Sequence, residues 1–232
     1  MFLVKRDLRK IARFGTIGCL KVKILAIRAV IFDFGGVLYR VPDQKWMRRW
    51  QVLLGLGKDS AFSTMLLAPD ESPYFRAIME GRIAESELWE RMATAWKLSP
   101  MITAWLRRHS MDRRRVNRVV EEFLAGLRPR YKTGILSNMG SDARQLFSQV
   151  FGFDRLVDTM VISAEEGVMK PDERIYRIAL ERLGVSAPEA LFLDDLAVNV
   201  AAARQVGMCA VHFLTTAQAL AEVASLLNGH QA

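Results

Sequence analysis

The stretch AVIFDFGGVLYR, residues 29–40, runs four apolar residues into a carboxylate and then into two glycines. Ile27 to Phe32 is short and mostly apolar, the pattern of a strand buried on both faces of a parallel sheet. A carboxylate buried without a partner costs several kcal/mol. Asp33, at the end of such a strand, therefore needs compensating cations or donors. Gly35 and Gly36 remove the side chains just beyond it, so the backbone can turn sharply there and approach a ligand closely.

The pattern changes on the carboxyl side of this stretch. Across residues 42–126, segments such as PDQKWMRRWQVLLGL, SPYFRAIME, ESELWERMATAWKL and MDRRRVNRVVEEFLAGL carry apolar residues at helical spacing. Trp46, Trp50, Trp89, Trp96 and Trp105, all the tryptophans of the chain, lie in this block. Strand and helix signals then alternate. YKTGILSN, RLVDTMVIS, EALFLDD and MCAVHF read as strands; SDARQLFSQVF, PDERIYRIALERLG, AVNVAAARQVG and TTAQALAEVASLLN read as helices. Pro171 is expected near the first turn of its helix and Gly184 at its stop. Repeated βα units predict an α/β fold, a Rossmann-like doubly wound parallel sheet, with an inserted all-helical cap domain. The expected organisation is a basic N-terminal extension over 1–26, an α/β core over 27–40 and 127–232, and a helical cap insertion over 41–126.

Bulk properties narrow the class. The chain has 232 residues, of which 51% are hydrophobic and 25% charged, within reach of one large domain or a core with an insertion. No apolar run approaches the roughly 20 residues of a transmembrane helix. Cys19 and Cys209 form no metal-spacing motif and no disulfide framework, which makes a cytoplasmic location the expectation. The net charge of +8 suggests a nucleic-acid binder until it is located: residues 1–28 hold eight basic residues against Asp7 alone, or +7 of the total. The remaining 204 residues are nearly neutral, so the expectation is no nucleic-acid partner and no membrane partner.

In open α/β sheets, ligands bind beyond the carboxyl ends of the strands. Asp33 stands at the first such end, Ser137 and Asn138 at the second, Lys170 in the loop after the third, and Asp194 with Asp195 at the fourth. Each has an ordinary reading when taken alone. Asp and Ser-Asn after a strand cap helices, Lys-Pro-Asp starts one, and an acidic pair is solvated charge. Together, in order, each at a strand end, they fit phosphoester chemistry. Asp33 can attack phosphorus to form an aspartyl-phosphate. Asp33, Asp194 and Asp195 supply hard oxygens for Mg²⁺, and Ser137 and Lys170 can meet the charge of the phosphoryl oxygens.

VIFDFGGVL, GILSN, EEGVMKPDERIY and LFLDDLAVNVAAARQVGM together resemble the four motifs of the haloacid dehalogenase-like hydrolase superfamily, spread over nearly all of residues 27–215. The similarity is to its helical-cap subgroup of small-molecule phosphatases. It implies Asp33 and Lys170 as catalytic residues, Ser137, Asn138 and Gly36 at the phosphate, and Asp33, the Gly35 carbonyl, Asp194 and Asp195 on Mg²⁺. It also draws attention to Asn199 near the fourth motif and to Glu165 and Gly167 before the lysine. The implied activity is Mg-dependent hydrolysis of a small phosphorylated metabolite, for instance a sugar phosphate. The alternatives are a 2-haloacid dehalogenase with the same nucleophile and a catalytically weak binding protein. One position departs from the pattern. Many relatives carry a second aspartate two residues after the nucleophile, as general acid and base, where this chain has Gly35. His109 is a substitute acid that the helical block offers, against its plainer reading as a surface residue beside Arg107 and Arg108.

Overall fold

The computed structural model describes residues 26–41, 72, 74–95, 97–109 and 112–228. Residues 1–25 of the expected N-terminal extension, the first expected helix of the block and Trp46, Trp50 and Trp96 lie outside these residues.

Five strands form one parallel sheet: β1 (Ala29–Phe32), β2 (Lys132–Ser137), β3 (Thr159–Ile162), β4 (Ala190–Asp194) and β5 (Cys209–His212), in the order β3-β2-β1-β4-β5. β1 is the centre, flanked by β2 and β4, so the strand order reverses beside it; ligands bind at such a switch point. All five strands are those the sequence predicts, with bounds trimmed at the ends. β1 starts at Ala29 rather than Ile27; just before it the Arg28 N–H donates to the Glu189 carbonyl at 2.8 Å, in line with the ladder to β4.

Alternation along the strands feeds two cores. Val30, Phe32, Ile135, Met160, Ile162, Leu191 and Leu193 point to one face. There they meet α4 (Arg118–Leu127), the wide helical stretch from α5 (Ala143–Gln145) through the π-turns of Leu146–Phe151, and α9 (Thr216–Asn228). Ala29, Ile31, Leu136, Val161, Ala190 and Phe192 point to the other face, covered by α7 (Glu173–Leu183) and α8 (Ala197–Gln205). α7 follows its sequence signals closely. The Asp172 carboxylate caps it by accepting the Arg174 N–H at 2.9 Å, and Gly184 closes it in the left-handed region at φ +60°. Pro171 stands just before that cap rather than in the first turn.

Among the described residues, 74–109 contain three helices and no strand: α1 (Phe75–Met79), α2 (Glu85–Ala95) and α3 (Pro100–His109). They meet the carboxyl edge of the sheet. The Glu85 N–H reaches Ser141 Oγ at 3.4 Å, and Arg107 pairs with Asp142, both just past β2. A Cβ on Gly81, at φ +68°, would collide with the Ala164 carbonyl of α6 (Ser163–Glu166). The expected insertion 41–126 includes most of α4, yet Val120, Leu124 and Leu127 pack in the same core as Phe32 and Ile135. Among the described residues, no helix is long and apolar enough to cross a membrane.

Candidate active site

Register builds the site. Phe32 pairs with Ile135 of β2 and with Leu193 of β4, so the next residue, Asp33, is level with Asp194. The Asp33 N–H extends the ladder to the Leu193 carbonyl at 2.8 Å. Ser137 ends β2, one step beyond Asp33, and is almost fully buried.

Phe34 then turns away from the edge. Its ring enters an aromatic cluster, 5.1 Å from Tyr39, 4.5 Å from Phe147 and 5.5 Å from Phe151 between ring centres. Its N–H meets Asp33 Oδ1 at 2.6 Å. Gly36 adopts φ +74°, and a Cβ there would collide with Asp195 Oδ2. The second glycine is thus a steric requirement of the acidic pair. Gly35 differs: among the described residues, a Cβ there would meet only Val41 Cγ2, at 3.7 Å.

Lys170 comes from the loop between α6 and α7, and its ammonium is buried in the centre. Nζ lies 2.9 Å from Asp33 Oδ1 and 2.6 Å from Asp194 Oδ2, and donates to the Leu136 carbonyl at 3.1 Å. It also stands 5.4 Å over the Phe192 ring centre. Carboxylate oxygens of Asp33, Asp194 and Asp195 lie within 4.8 Å of one another. Among the described residues, three carboxylates stand around one ammonium, which leaves these groups short of positive charge. Burial pushes the Asp33 carboxyl up to about 7; Lys170 pulls it down and Asp194 adds to the rise. Burial also lowers the Lys170 ammonium, but Asp33 and Asp194 outweigh it and hold the group above its usual value. Asp195 is raised by burial and then by Asp194.

Both oxygens of Asp194 accept hydrogen bonds. Oδ1 accepts from the Leu196 N–H at 2.8 Å and from Asn199 Nδ2 at 3.0 Å, while Oδ2 accepts from Lys170 and, at 3.1 Å, from the same Asn199 nitrogen. The donor set suits Mg²⁺, a hard cation that takes few carboxylates and keeps several waters.

Of the residues expected at the site, Asp33, Lys170, Asp194 and Asp195 meet directly. Asn138 turns its carboxamide onto the main chain of Lys170. Glu165 pairs with Arg144 at 2.6 Å, outside the carboxylate cluster, and Gly167 closes α6 at φ +67°. The side chain of His109 lies outside the described residues. Two supporting residues were not read from the sequence. Tyr176 Oη donates to the Asn199 carbonyl at 3.0 Å, and His212 Nε2 lies 3.0 Å from the Asp195 carbonyl. The pairing of Asp194 with His212 across β4 and β5 is the one signal that reaches the latter.

Comparison with known proteins agrees with this geometry. The haloacid dehalogenase-like hydrolase family model matches residues 27–207. The chain is 28% identical over 214 residues to bifunctional epoxide hydrolase 2 of Rattus norvegicus, covering 86% of this chain but 38% of that protein, so it spans well under half of that relative. It is 23% identical over 192 residues to a D-ribitol-5-phosphate phosphatase of Bacteroides thetaiotaomicron, covering 78% of this chain and 89% of that one. A HAD family enzyme from the same organism, solved as an aspartate-to-alanine mutant with magnesium and inorganic phosphate, superimposes with a TM-score of 0.61 at 16% identity, over 81% of this chain and 94% of its own.

Proposed function

Because the chain belongs to the haloacid dehalogenase-like hydrolases, we propose that it is a Mg-dependent phosphatase of small phosphorylated metabolites, with Asp33 as nucleophile. The observation that carries this reading is the buried Lys170 ammonium spanning Asp33 and Asp194, with the Asp195 carboxylate alongside, at the carboxyl edge of the central strands. A dianionic phosphoryl group needs such positive charge, and a carboxylate nucleophile needs it to approach an anion at all.

Asp33, Asp194 and Asp195, with the Gly35 carbonyl, would hold Mg²⁺, which when bound offsets the charge between carboxylate and phosphate. Asp33 attacks phosphorus through its carboxylate, and the bond from phosphorus to the leaving oxygen breaks. Lys170 stabilises the charge on the non-bridging oxygens, with Ser137 and the backbone N–H groups at the end of β2. Water then attacks the aspartyl-phosphate at phosphorus, and Asp33 departs as the carboxylate, giving inorganic phosphate. With glycine at position 35, no carboxyl at that point protonates the leaving oxygen, so rates are expected to fall steeply as the pKa of the leaving alcohol rises. The described helices α1 to α3, which dock at this edge, belong to the cap that covers the site and selects the substrate.

The test is hydrolysis of para-nitrophenyl phosphate with Mg²⁺. Turnover is expected to stop in EDTA and to fall by more than about 10³-fold in Asp33→Asn. Mg²⁺-independent turnover, or halide release from 2-haloacids, would overturn the reading.

A further inference from the structure

The loop that carries Lys170 has no strand to align it. It runs from Gly167, left-handed at φ +67°, to the Asp172 cap of α7. The lysine side chain has four rotatable bonds, and fixing such a chain costs conformational entropy. Its three contacts at Nζ orient the tip but say nothing of what holds its base.

The base is held by Asn138. Oδ1 accepts the Lys170 N–H at 2.8 Å, and Nδ2 donates to the Lys170 carbonyl at 3.0 Å. The carboxamide thus pairs with both polar groups of one residue's main chain, as a neighbouring peptide would in a sheet. A carboxamide carries its acceptor and its donors on two separate atoms of one carbon, so each partner meets its own atom. Aspartate of the same length offers only acceptors. Asn138 itself is the residue after Ser137, so it inherits the alignment of β2. A second tie stands beside it. Ser163 Oγ accepts the Met139 N–H at 3.1 Å and donates to the Met139 carbonyl at 3.3 Å. The exit of β2 is thereby fastened to the first residue of α6 and to the loop that follows that helix.

We propose that Asn138 is a positioning residue: its carboxamide transfers the alignment of β2 to the main chain of Lys170, so that Nζ spans Asp33 and Asp194. The side chain is therefore a clasp, and what Asn138 offers a phosphate is its backbone N–H. The catalytic consequence rests on the phosphatase reading above; the clasp itself does not.

The experiment has an arm for each. In the EDTA-treated protein, Asn138→Ala is expected to lose at least about tenfold hydrogen-exchange protection at the Lys170 amide, with amides in the middle of α7 unchanged. With para-nitrophenyl phosphate and Mg²⁺, its kcat is expected to fall about 10–100-fold, as a displacement near 1 Å does, while KM and inhibition by inorganic phosphate stay within about threefold. In a Lys170→Ala background the same change is expected to add less than about threefold, because both act through one group. Asn138→Asp, of equal size, keeps the acceptor and loses the donor. It is expected to have an intermediate kcat; if Asn138→Ala does not fold, Asn138→Leu, of similar size and lacking both groups, is judged by the same criteria. Unchanged protection at Lys170 overturns the clasp. Weaker phosphate inhibition in step with kcat, or additive losses in the Lys170→Ala background, would make the side chain a phosphate ligand instead. Absence of phosphatase activity in the unaltered protein would defeat the functional reading while leaving the exchange result to decide the clasp.

Discussion

At residue scale, the two glycines after Asp33 play opposite parts. Gly36 has no room for a methyl group, since a Cβ would collide with Asp195 Oδ2 and its φ is +74°. Gly36→Ala is therefore expected to displace Asp195 and cut Mg²⁺-dependent activity by more than about 10²-fold, measured with circular dichroism as a folding control. Gly35 has room among the described residues, with Val41 Cγ2 the nearest of their atoms at 3.7 Å. Gly35→Asp is expected to raise the hydrolysis of alkyl phosphates relative to para-nitrophenyl phosphate, by up to the 10²–10⁴-fold typical of general acid–base help. An unaltered dependence on leaving-group pKa would remove this account of the position. Asp33 carries a stability cost of its own. Its carboxyl rises from 3.8 to about 7 on folding, so between these values the folded protein holds a proton that the unfolded chain has released. Stability then falls as pH rises through that window, and the penalty is complete above pH 7. In EDTA, Asp33→Asn is expected to raise unfolding stability by on the order of 1–4 kcal/mol at pH 8 and by little at pH 4 in urea melts.

At the scale of elements, the strands and their charged ends were legible because each signal is local. Asp33, Asp194 and Asp195 follow apolar runs, and strand ends are where such chemistry collects. Lys170 was less so: it precedes a proline and a helix cap, as many surface lysines do, and only its companions singled it out. What was not legible depends on pairs of elements. The apolar stripe of α4 shows that Val120, Leu124 and Leu127 are buried, but not that they are buried on the sheet. The Tyr176 bond to Asn199 joins α7 to α8, and no spacing within either helix reports it. The docking of α1 to α3 is testable at Gly81. Alanine there is strained at φ +68° and strikes the Ala164 carbonyl, so Gly81→Ala is expected to loosen these helices from the core. Faster limited proteolysis within residues 74–109, with the strands of the core still protected, is the outcome that checks it.

At the scale of the whole molecule, the sheet separates two packing systems that share almost no side chains. One is built on aromatic rings, with Phe34, Tyr39, Phe147, Phe151 and Phe153 in mutual contact. The other is built on α7 and α8. A metal that binds only the folded chain stabilises it by mass action, by about 2.7 kcal/mol at a hundred times its Kd. Mg²⁺ is accordingly expected to raise the melting temperature of this protein, and to do so far less for Asp195→Asn. The Asp33 carboxylate stands between the two systems. Its neighbour Phe34 is locked among the rings on one side, and its counter-ion Lys170 is carried by a loop entering α7 on the other. Two sets of substitutions, remote from each other and from any substrate, thus converge on one distance, the 2.9 Å between Asp33 Oδ1 and Lys170 Nζ. The molecule works like a vernier: repacking either core moves one scale against the other, and the turnover of the enzyme can drift through changes that never touch its site.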